Sequence, residues 1–544
     1  MPEREIPLRP NLEQYKKQAK DLARACGAAD PAALARVKRH HPRFAEADDK
    51  PEWRVKIADA QLVIAREHGF DSWPKFAAQI TTLNLERHVT GIDDPVAAFI
   101  RAACVPRNDS HSSGTLEEAE MILTRYPQVA RTNIHTAAIR ADEDGVRAFL
   151  ARDPASATVK GGPENWDALT HLCFSRYLRL DKTRGAAFVR TARALLDAGS
   201  DANTGWWETI DLDTKPRQII ESAIYGAAGI AHHAELTRLL LEYGADPNDE
   251  ETAYHAAEEY DLGAMKVLVE SGKLSAEGQT TLLLRKADWH DTEGIRWLLE
   301  HGADPNAMTR WRNSPLHHAV IRDNQLRNLE LMLQHGGNFT LKNGHGVSAA
   351  QLAARRGRGD VLRVLAERGI DSQLEGEDRL IAACAVGDDA EIRALSAESP
   401  DLVGALLARG GTLLVEFAGT NNAEGVQRLL ELGVDVNALH GRGDGYWDVT
   451  PATSAPHNAA WRGWTEVVKL LIARGATVNA VDSRARTPLA LAVKACVDSY
   501  WKGRRTPESV DALLKAGATT AGIEVPCGYD EVDELLFAAK ARKT

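Results

Sequence analysis

The apolar positions of this chain recur as one phrase: a Leu-Leu pair, two variable residues, Gly, a small residue, Asp and Asn. Leu298-Leu299 leads to Gly302-Ala303-Asp304-Pro305-Asn306, Leu240-Leu241 to Gly244-Ala245-Asp246-Pro247-Asn248, and Leu429-Leu430 to Gly433-Val434-Asp435-Val436-Asn437. Echoes stand at Gly199, Gly272, Gly336, Gly369, Gly475 and Gly517, most of them about 33 residues apart or stretched by an insertion. Each Leu-Leu pair marks the buried stripe of a helix, and the Gly after it accepts the left-handed conformation that stops that helix. A second helix opens in each unit. In Ser314-Pro315-Leu316-His317, Ser314 caps, Pro315 takes the position whose N–H is unpaired anyway, Leu316 packs inward and His317 bonds backbone in the adjoining turn. Thr487-Pro488-Leu489 repeats the logic. The pattern predicts helix pairs that bury their apolar faces only against their neighbours.

The first 85 or so residues do not follow the phrase. Leu12, Tyr15, Ala19, Leu22 and Ala23 form one helical stripe, and Asp30-Pro31 starts a second helix. Ile57, Leu62, Ile64 and Ala65 belong to a third that ends at Gly69, and Asp71-Ser72-Trp73-Pro74 opens a fourth with Trp73 and Phe76 in the core. Met121-Ile122-Leu123 before Tyr126-Pro127 and Phe149-Leu150 before Asp153-Pro154 read as the ends of worn repeats. Clearer units end near Asn203, Asn248, Lys273, Asn306, Asn338, Asp371, Asp401, Asn437, Asn479 and Thr519, and a charged helix around Leu535, Leu536 and Phe537 closes the chain. The expected division is a helical capping domain over 1–88, a repeat array over 89–525 and a capping helix over 526–544.

These phrases resemble the ankyrin repeat family over roughly residues 95 to 525, with about 11–12 repeats, the first degenerate. The N-terminal helices, with Asp59-Ala60-Gln61-Leu62-Val63-Ile64-Ala65-Arg66-Glu67 and Gly69-Phe70-Asp71-Ser72-Trp73-Pro74, and the segment Leu172-Cys173-Phe174-Ser175-Arg176-Tyr177 are similar to bacterial ankyrin-repeat proteins of unassigned function. The resemblance implies an all-α fold with short β-hairpin-like loops: a curved ankyrin-repeat α-solenoid behind a small helical domain. It brings no activity with it.

Composition narrows the function classes. A formal net charge of −11 argues against a general nucleic-acid binder. The six cysteines include no C-x-x-C pair, which suits reduced thiols in a cytoplasmic protein. The N-terminus lacks an apolar signal region, and no run of about 18 apolar residues occurs, so neither secretion nor membrane insertion is expected. The expected state is a monomer.

The chain holds no phosphate loop, no nucleophile elbow and no zinc-binding H-E-x-x-H helix, so neither catalysis, a cofactor nor a metal is expected. His135, His171, His255, His317 and His457 fall where the repeat places its structural histidine. Arg442-Gly443-Asp444, in a glycine-rich inserted loop, is a chance match to an adhesion tripeptide.

The aromatic residues are more informative. Aligned on the terminal Gly, Trp311 sits at a hairpin tip beside Arg310 and Arg312. Trp289 with Asp288, and Trp461 with Arg462, end first helices; Arg355-Arg356 and Glu258-Glu259 occupy the same place in other units. Insertions add Trp206-Trp207, Tyr446-Trp447 and Tyr500-Trp501. In arrays of this family those positions line the concave groove, and large aromatics next to charge make interaction hot spots. The expected function is a scaffold or adaptor that holds a protein partner through Trp207, Trp289, Trp311, Arg355, Arg356, Trp447, Trp461 and Arg462. The competing structural reading has each Trp folded over its own loop. A second functional reading is a small-ligand or peptide sensor with an aromatic pocket around Trp166, Trp206, Trp207 and Tyr177; a third is an enzyme whose site would show as a cluster of strongly shifted titratable groups.

Overall fold

The computed structural model describes residues 4–7, 9–45, 55–108, 110–210, 216–499 and 501–541; Tyr500 lies outside them. With 61% helix and 4% strand the fold is all-α. The chain divides into two compact units, one of Met1–Asn84 with Ala350–Thr544 and one of Leu85–Ala349.

The N-terminal helices form where the polar and apolar spacing places them. Asn11 caps Leu12–Gly27 by accepting from the Glu13 and Gln14 amides, and Asp30 caps Pro31–His40 through Ala33. The third helix is Ile57–Glu67 and the fourth Trp73–Thr90. Tyr15, Leu22, Val37, Ile64, Phe76 and Ile80 share one buried cluster, with Trp73 packed at its edge. Within the same unit these helices are tied to the end of the chain. Lys20 pairs with Glu524 at 2.9 Å, and Lys56 pairs with Asp530 at the start of the last helix, Asp530–Ala541.

The repeat phrase has a physical job for each of its residues. Leu298 and Leu299 are buried at the end of helix Thr292–Glu300, and Gly302 follows at φ +88°, where a side chain would strain the turn. Asp304 accepts from the Asn306 amide at 2.8 Å and so sets the Asn side chain. Asn306 then reaches the next repeat: its Nδ2 donates to the Gly336 carbonyl at 2.9 Å and its Oδ1 accepts from the Asn338 amide at 2.7 Å. Asn203 makes the same pair of bonds to Gly244 and Asp246, Asn248 to Lys273 and Ser275, and Asn479 to Gly517 and Thr519. The recurring Asn therefore stitches repeat to repeat through backbone groups.

The histidines expected to be structural divide. His317 bridges Ser314 Oγ at 2.7 Å and the Leu341 carbonyl at 2.9 Å, and His457 bridges Ser454 Oγ and the Arg486 carbonyl in the same way. His171 reaches the Gly161 carbonyl at 3.2 Å. His255 instead lies between two carboxylates, Glu251 at 3.0 Å and Glu258 at 2.9 Å.

The worn repeats end differently from the clear ones. Helix Glu117–Arg125 runs through Tyr126 into the 3-10 turn Pro127–Arg131, and Glu143–Arg152 through Asp153 into Pro154–Ala157. Proline starts a new turn there, in place of the left-handed glycine. Asp401 does not end a repeat: it lies in the first turn of helix Pro400–Ala408. The Trp206-Trp207 insertion is a two-stranded antiparallel ribbon of β1 (Gly205–Ile210) and β2 (Arg217–Ser222), pairing Trp206 with Glu221 and Trp207 with Ile220. Among the described residues no single helix is long and apolar enough to cross a membrane; the apolar pair Pro400–Ala408 and Gly410–Gly419 is bent by 71°.

Candidate functional site

In the unit Leu85–Ala349, short helices hold a row of aromatic rings in solvent. Helix Ala276–Asp288 ends at Trp289, which is 36% exposed. The neighbouring Tyr260, 65% exposed, sets its ring edge-on to Trp289 at 5.8 Å and donates its hydroxyl to the Trp289 carbonyl at 3.1 Å. Trp311, 37% exposed at its hairpin tip, packs 5.6 Å from the Tyr254 ring and carries the Arg310 guanidinium 4.5 Å from its own centroid. Trp207 is the most exposed tryptophan of the set at 60%. Strand alternation explains it: Trp206 and Glu221 face inward on the ribbon, and Trp207 faces out.

Ion pairs beneath the rings hold this row. Glu250 pairs with Arg217 of β2 and with Arg310, which ties the ribbon to the Trp311 tip. Arg285 lies 3.9 Å over the Tyr254 ring and pairs with Glu258 and Asp288. Asp288 also receives His318 Nε2 at 2.6 Å and Arg322 Nε at 2.8 Å. Burial opposes the charge on Asp288, but His318 and the two arginines hold its carboxyl far below the usual carboxylate range. Lys286 is wholly buried; it pairs with Asp291 at 2.8 Å and donates to the Glu259 carbonyl. These charges are spent inside the protein, so the rings are what the surface offers.

Beside the ribbon lies a second titratable group. Glu221 is 3% exposed, and burial followed by the charges of Glu251 and Glu208 pushes its pKa up to about 8. Burial disfavours the His255 cation, yet its hydrogen bonds to Glu251 and Glu258 outweigh that and push its pKa up to about 9. Both imidazole nitrogens are thereby committed, which leaves the ring no lone pair with which to act as a base.

The other residues expected at the surface are placed differently. Arg355 is half-buried and holds Asp378 with two bonds of 2.7 and 2.8 Å. Arg356 is buried between Glu416 at 3.2 Å and Asp444 at 3.7 Å. That pairing also engages the aspartate of Arg442-Gly443-Asp444. Trp447, Trp461 and Arg462 are buried, not exposed anchors. The Arg462 guanidinium lies 3.6 Å over Trp447 and 5.0 Å from Trp501, and Arg504 lies 4.0 Å over Trp464 and 5.4 Å from Trp501. Indole N–H groups lock the stack: Trp461 donates to the Trp447 carbonyl at 2.8 Å and Trp501 to the Trp461 carbonyl at 3.0 Å. Rings and cations from neighbouring repeats pack against one another there, so the set closes on itself, with the Trp447 Nε1–H left without an acceptor among the described residues.

The expected aromatic pocket is likewise filled by its own rings. Trp166 and Trp206 stack at 4.3 Å, Phe174 packs 4.4 Å from Trp206, and the buried Tyr177 hydroxyl bonds Glu120. The exposed Tyr260 and the half-buried Tyr254 are the ring partners that sequence reasoning missed. Their signal was the pairing with Trp289 and Trp311 across repeats, which single-chain spacing does not display. Among the described residues no group of three or more His, Cys, Asp or Glu is placed to hold a metal ion.

Comparison with known proteins agrees with this architecture. The family profile for ankyrin repeats (three copies) matches residues 283–375, and that for a single ankyrin repeat matches residues 457–483. The B-cell lymphoma 3 protein homolog of Mus musculus is 32% identical over 155 residues, covering 26% of this chain and 34% of that protein. The transient receptor potential cation channel subfamily A member 1 of Homo sapiens is 26% identical over 196 residues, 34% of this chain and 14% of the channel. An ankyrin repeat protein of Rickettsia bellii (strain RML369-C) is 31% identical over 109 residues, 20% of this chain and 44% of its own. The chain spans less than half the length of each of these curated relatives.

Proposed function

From a chain that contains ankyrin repeats, and with them a role in protein–protein interaction, we propose a scaffold or adaptor that captures its partner on the aromatic row of residues 85–349. Tyr260, Trp289 and Trp311 are the anchors, with Trp207 on the ribbon as an outlying contact. The observation that carries this reading is that these large rings stay in solvent while the charges around them are paired internally. A partner gains most by burying such rings, because rigid aromatics lose little conformational entropy on docking. Ion pairs beneath them hold the rings ready, which lowers the cost of binding further.

This reading is non-enzymatic. His255 and Asp288 have shifted proton affinities, but both His255 nitrogens are committed to Glu251 and Glu258, and Asp288 is held ionised by His318, Arg285 and Arg322, with no proton to give. The six cysteines are unpaired and five of them are buried, which supports a reducing compartment, and we place the adaptor in the cytoplasm.

The test replaces Trp289 and Trp311 together with Ala and compares capture of partners from native lysate with the wild type. Loss of one or more partners, with the melting temperature nearly unchanged, is expected; each anchor contributes about 2 kcal/mol or more to binding. An unchanged set of captured proteins would sink the proposal, as would a large stability loss with binding intact.

A further inference from the structure

A cleft of about 200 Å³ opens at the early repeats, away from the aromatic row; its lining includes Ile100, Arg101, Val105, Arg107, Glu164 and Trp166. Its chemistry is uneven. Arg101 and Arg107 have no carboxylate partner among the described residues; the one hydrogen bond from Arg107 goes to the Trp207 carbonyl at 3.4 Å. Trp166 is 2% exposed, and its Nε1–H finds no acceptor among the described residues. The indoles of Trp206, Trp461, Trp464 and Trp501 all donate to an oxygen, and the other buried indole without an acceptor among the described residues, Trp447, lies under the Arg462 guanidinium and does not line this cleft. A buried donor without an acceptor destabilises the fold, and a ligand oxygen would relieve it.

The rest of the lining sets the body of such a ligand. Ile100 and Val105 are buried apolar groups, and Trp206 stacked on Trp166 fixes the indole in place. Two guanidinium groups, one indole donor and an apolar wall together suit an anion with a hydrocarbon or aromatic body. We propose that this cleft binds a small organic carboxylate, its oxygens taken by Arg101, Arg107 and the Trp166 Nε1–H, and its apolar part lying against Ile100 and Val105. Glu164 at the rim turns away ligands that carry a second anionic group. None of the residues lining the cleft is an anchor of the protein-binding row; the two meet only where Arg107 bonds the Trp207 carbonyl.

The experiment follows the indole resonances of the full chain in ¹H–¹⁵N spectra, with the Trp166 signal assigned from Trp166→Phe. Benzoate, inorganic phosphate and benzylamine are titrated in parallel. A saturable shift of the Trp166 signal with benzoate is expected, weakened roughly tenfold or more in the Arg101→Ala/Arg107→Ala variant, the scale of a lost charge-assisted hydrogen bond. Both arginine side chains reach solvent, and unshifted signals from the other indoles check that the variant keeps its fold. Absence of a saturable benzoate shift, or equal binding by the double variant, would overturn the proposal. Saturation by benzylamine in place of benzoate would assign the cleft to cations through Glu164 and overturn it too. Binding of phosphate without benzoate would leave an inorganic anion site and remove the apolar part of the argument. The Trp289→Ala/Trp311→Ala variant is expected to bind benzoate as the wild type does, so failure here and failure of the adaptor reading are separable.

Discussion

The repeats around Trp289 and those around Trp461 both place tryptophan at the end of a first helix, one residue apart in register: Trp461 is the last helical residue, whereas Trp289 is the cap after Asp288, and the two are used in opposite ways. Trp289 meets one ring, Tyr260, and stays in solvent. Trp461 meets Trp501 at 5.7 Å and Lys494 at 4.6 Å, donates its N–H to the Trp447 loop and is buried. What differs is the register and the neighbourhood. Inserted segments around Trp447 and Trp501 bring rings and carbonyls over Trp461, whereas the turn after Trp289 is short. A tryptophan at the end of a first helix is thus left in solvent or taken into the core according to its register on that helix and to what the adjoining insertions supply.

Trp461→Ala should break the closed stack, with a cost of about 3–5 kcal/mol, typical of deleting a buried aromatic. Thermal unfolding of the variant checks it; a melting curve like that of the wild type would mean the stack contributes nothing. Trp289→Ala with Trp311→Ala is expected to leave the melting temperature almost unmoved while partner capture fails, and that contrast is the sharpest form of the comparison.

A pH titration separates the two regions further. The His255 ion pairs stabilise the unit Leu85–Ala349 fully below the ordinary histidine value of 6.5, and their contribution fades as pH climbs through about 9. Glu221, neutral when folded, imposes a cost that grows from its ordinary value of 4.5 until about 8. Both act in one sense, so this unit is expected to lose stability steadily between pH 6.5 and 9. Glu221→Gln should flatten the slope; a melting temperature that stays level over that window would contradict both assignments. The smallest effect is expected at Trp207→Ala. The side chain is mostly in solvent, so folding stability should change by less than about 0.5 kcal/mol, with any measurable loss confined to partner affinity.

Much of the frame was legible in the residues. Leu298-Leu299 with Gly302, the Ser314-Pro315 cap and the bridging role of His317 follow from local rules that hold wherever the segment sits, because helix stripes, caps and left-handed turns are settled within a few residues. The stitching by Asn306 was visible as a recurring residue but not as a bond, since its partner lies a whole repeat away. His255 does not share the place of the backbone-bonding histidines: His317 and His457 stand three residues after their caps Ser314 and Ser454, His255 six after Asp249, and the acids that take it, Glu251 and Glu258, sit on its own helix and the turn after it. Burial of Arg356, Trp447, Trp461 and Arg462 could not be read from spacing, because it depends on loops contributed by neighbouring repeats.

The amino-acid sequence by itself determined that this is a ladder of helices built from ankyrin repeats, and which residues cap and fill its clear units. Those are short-range choices, enforced by backbone geometry and by the period of the apolar stripe. Only the tertiary structure decided which tryptophans meet solvent and which arginines keep a free charge. Exposure and pairing are properties of the space between repeats, where side chains distant in the chain compete for the same surface.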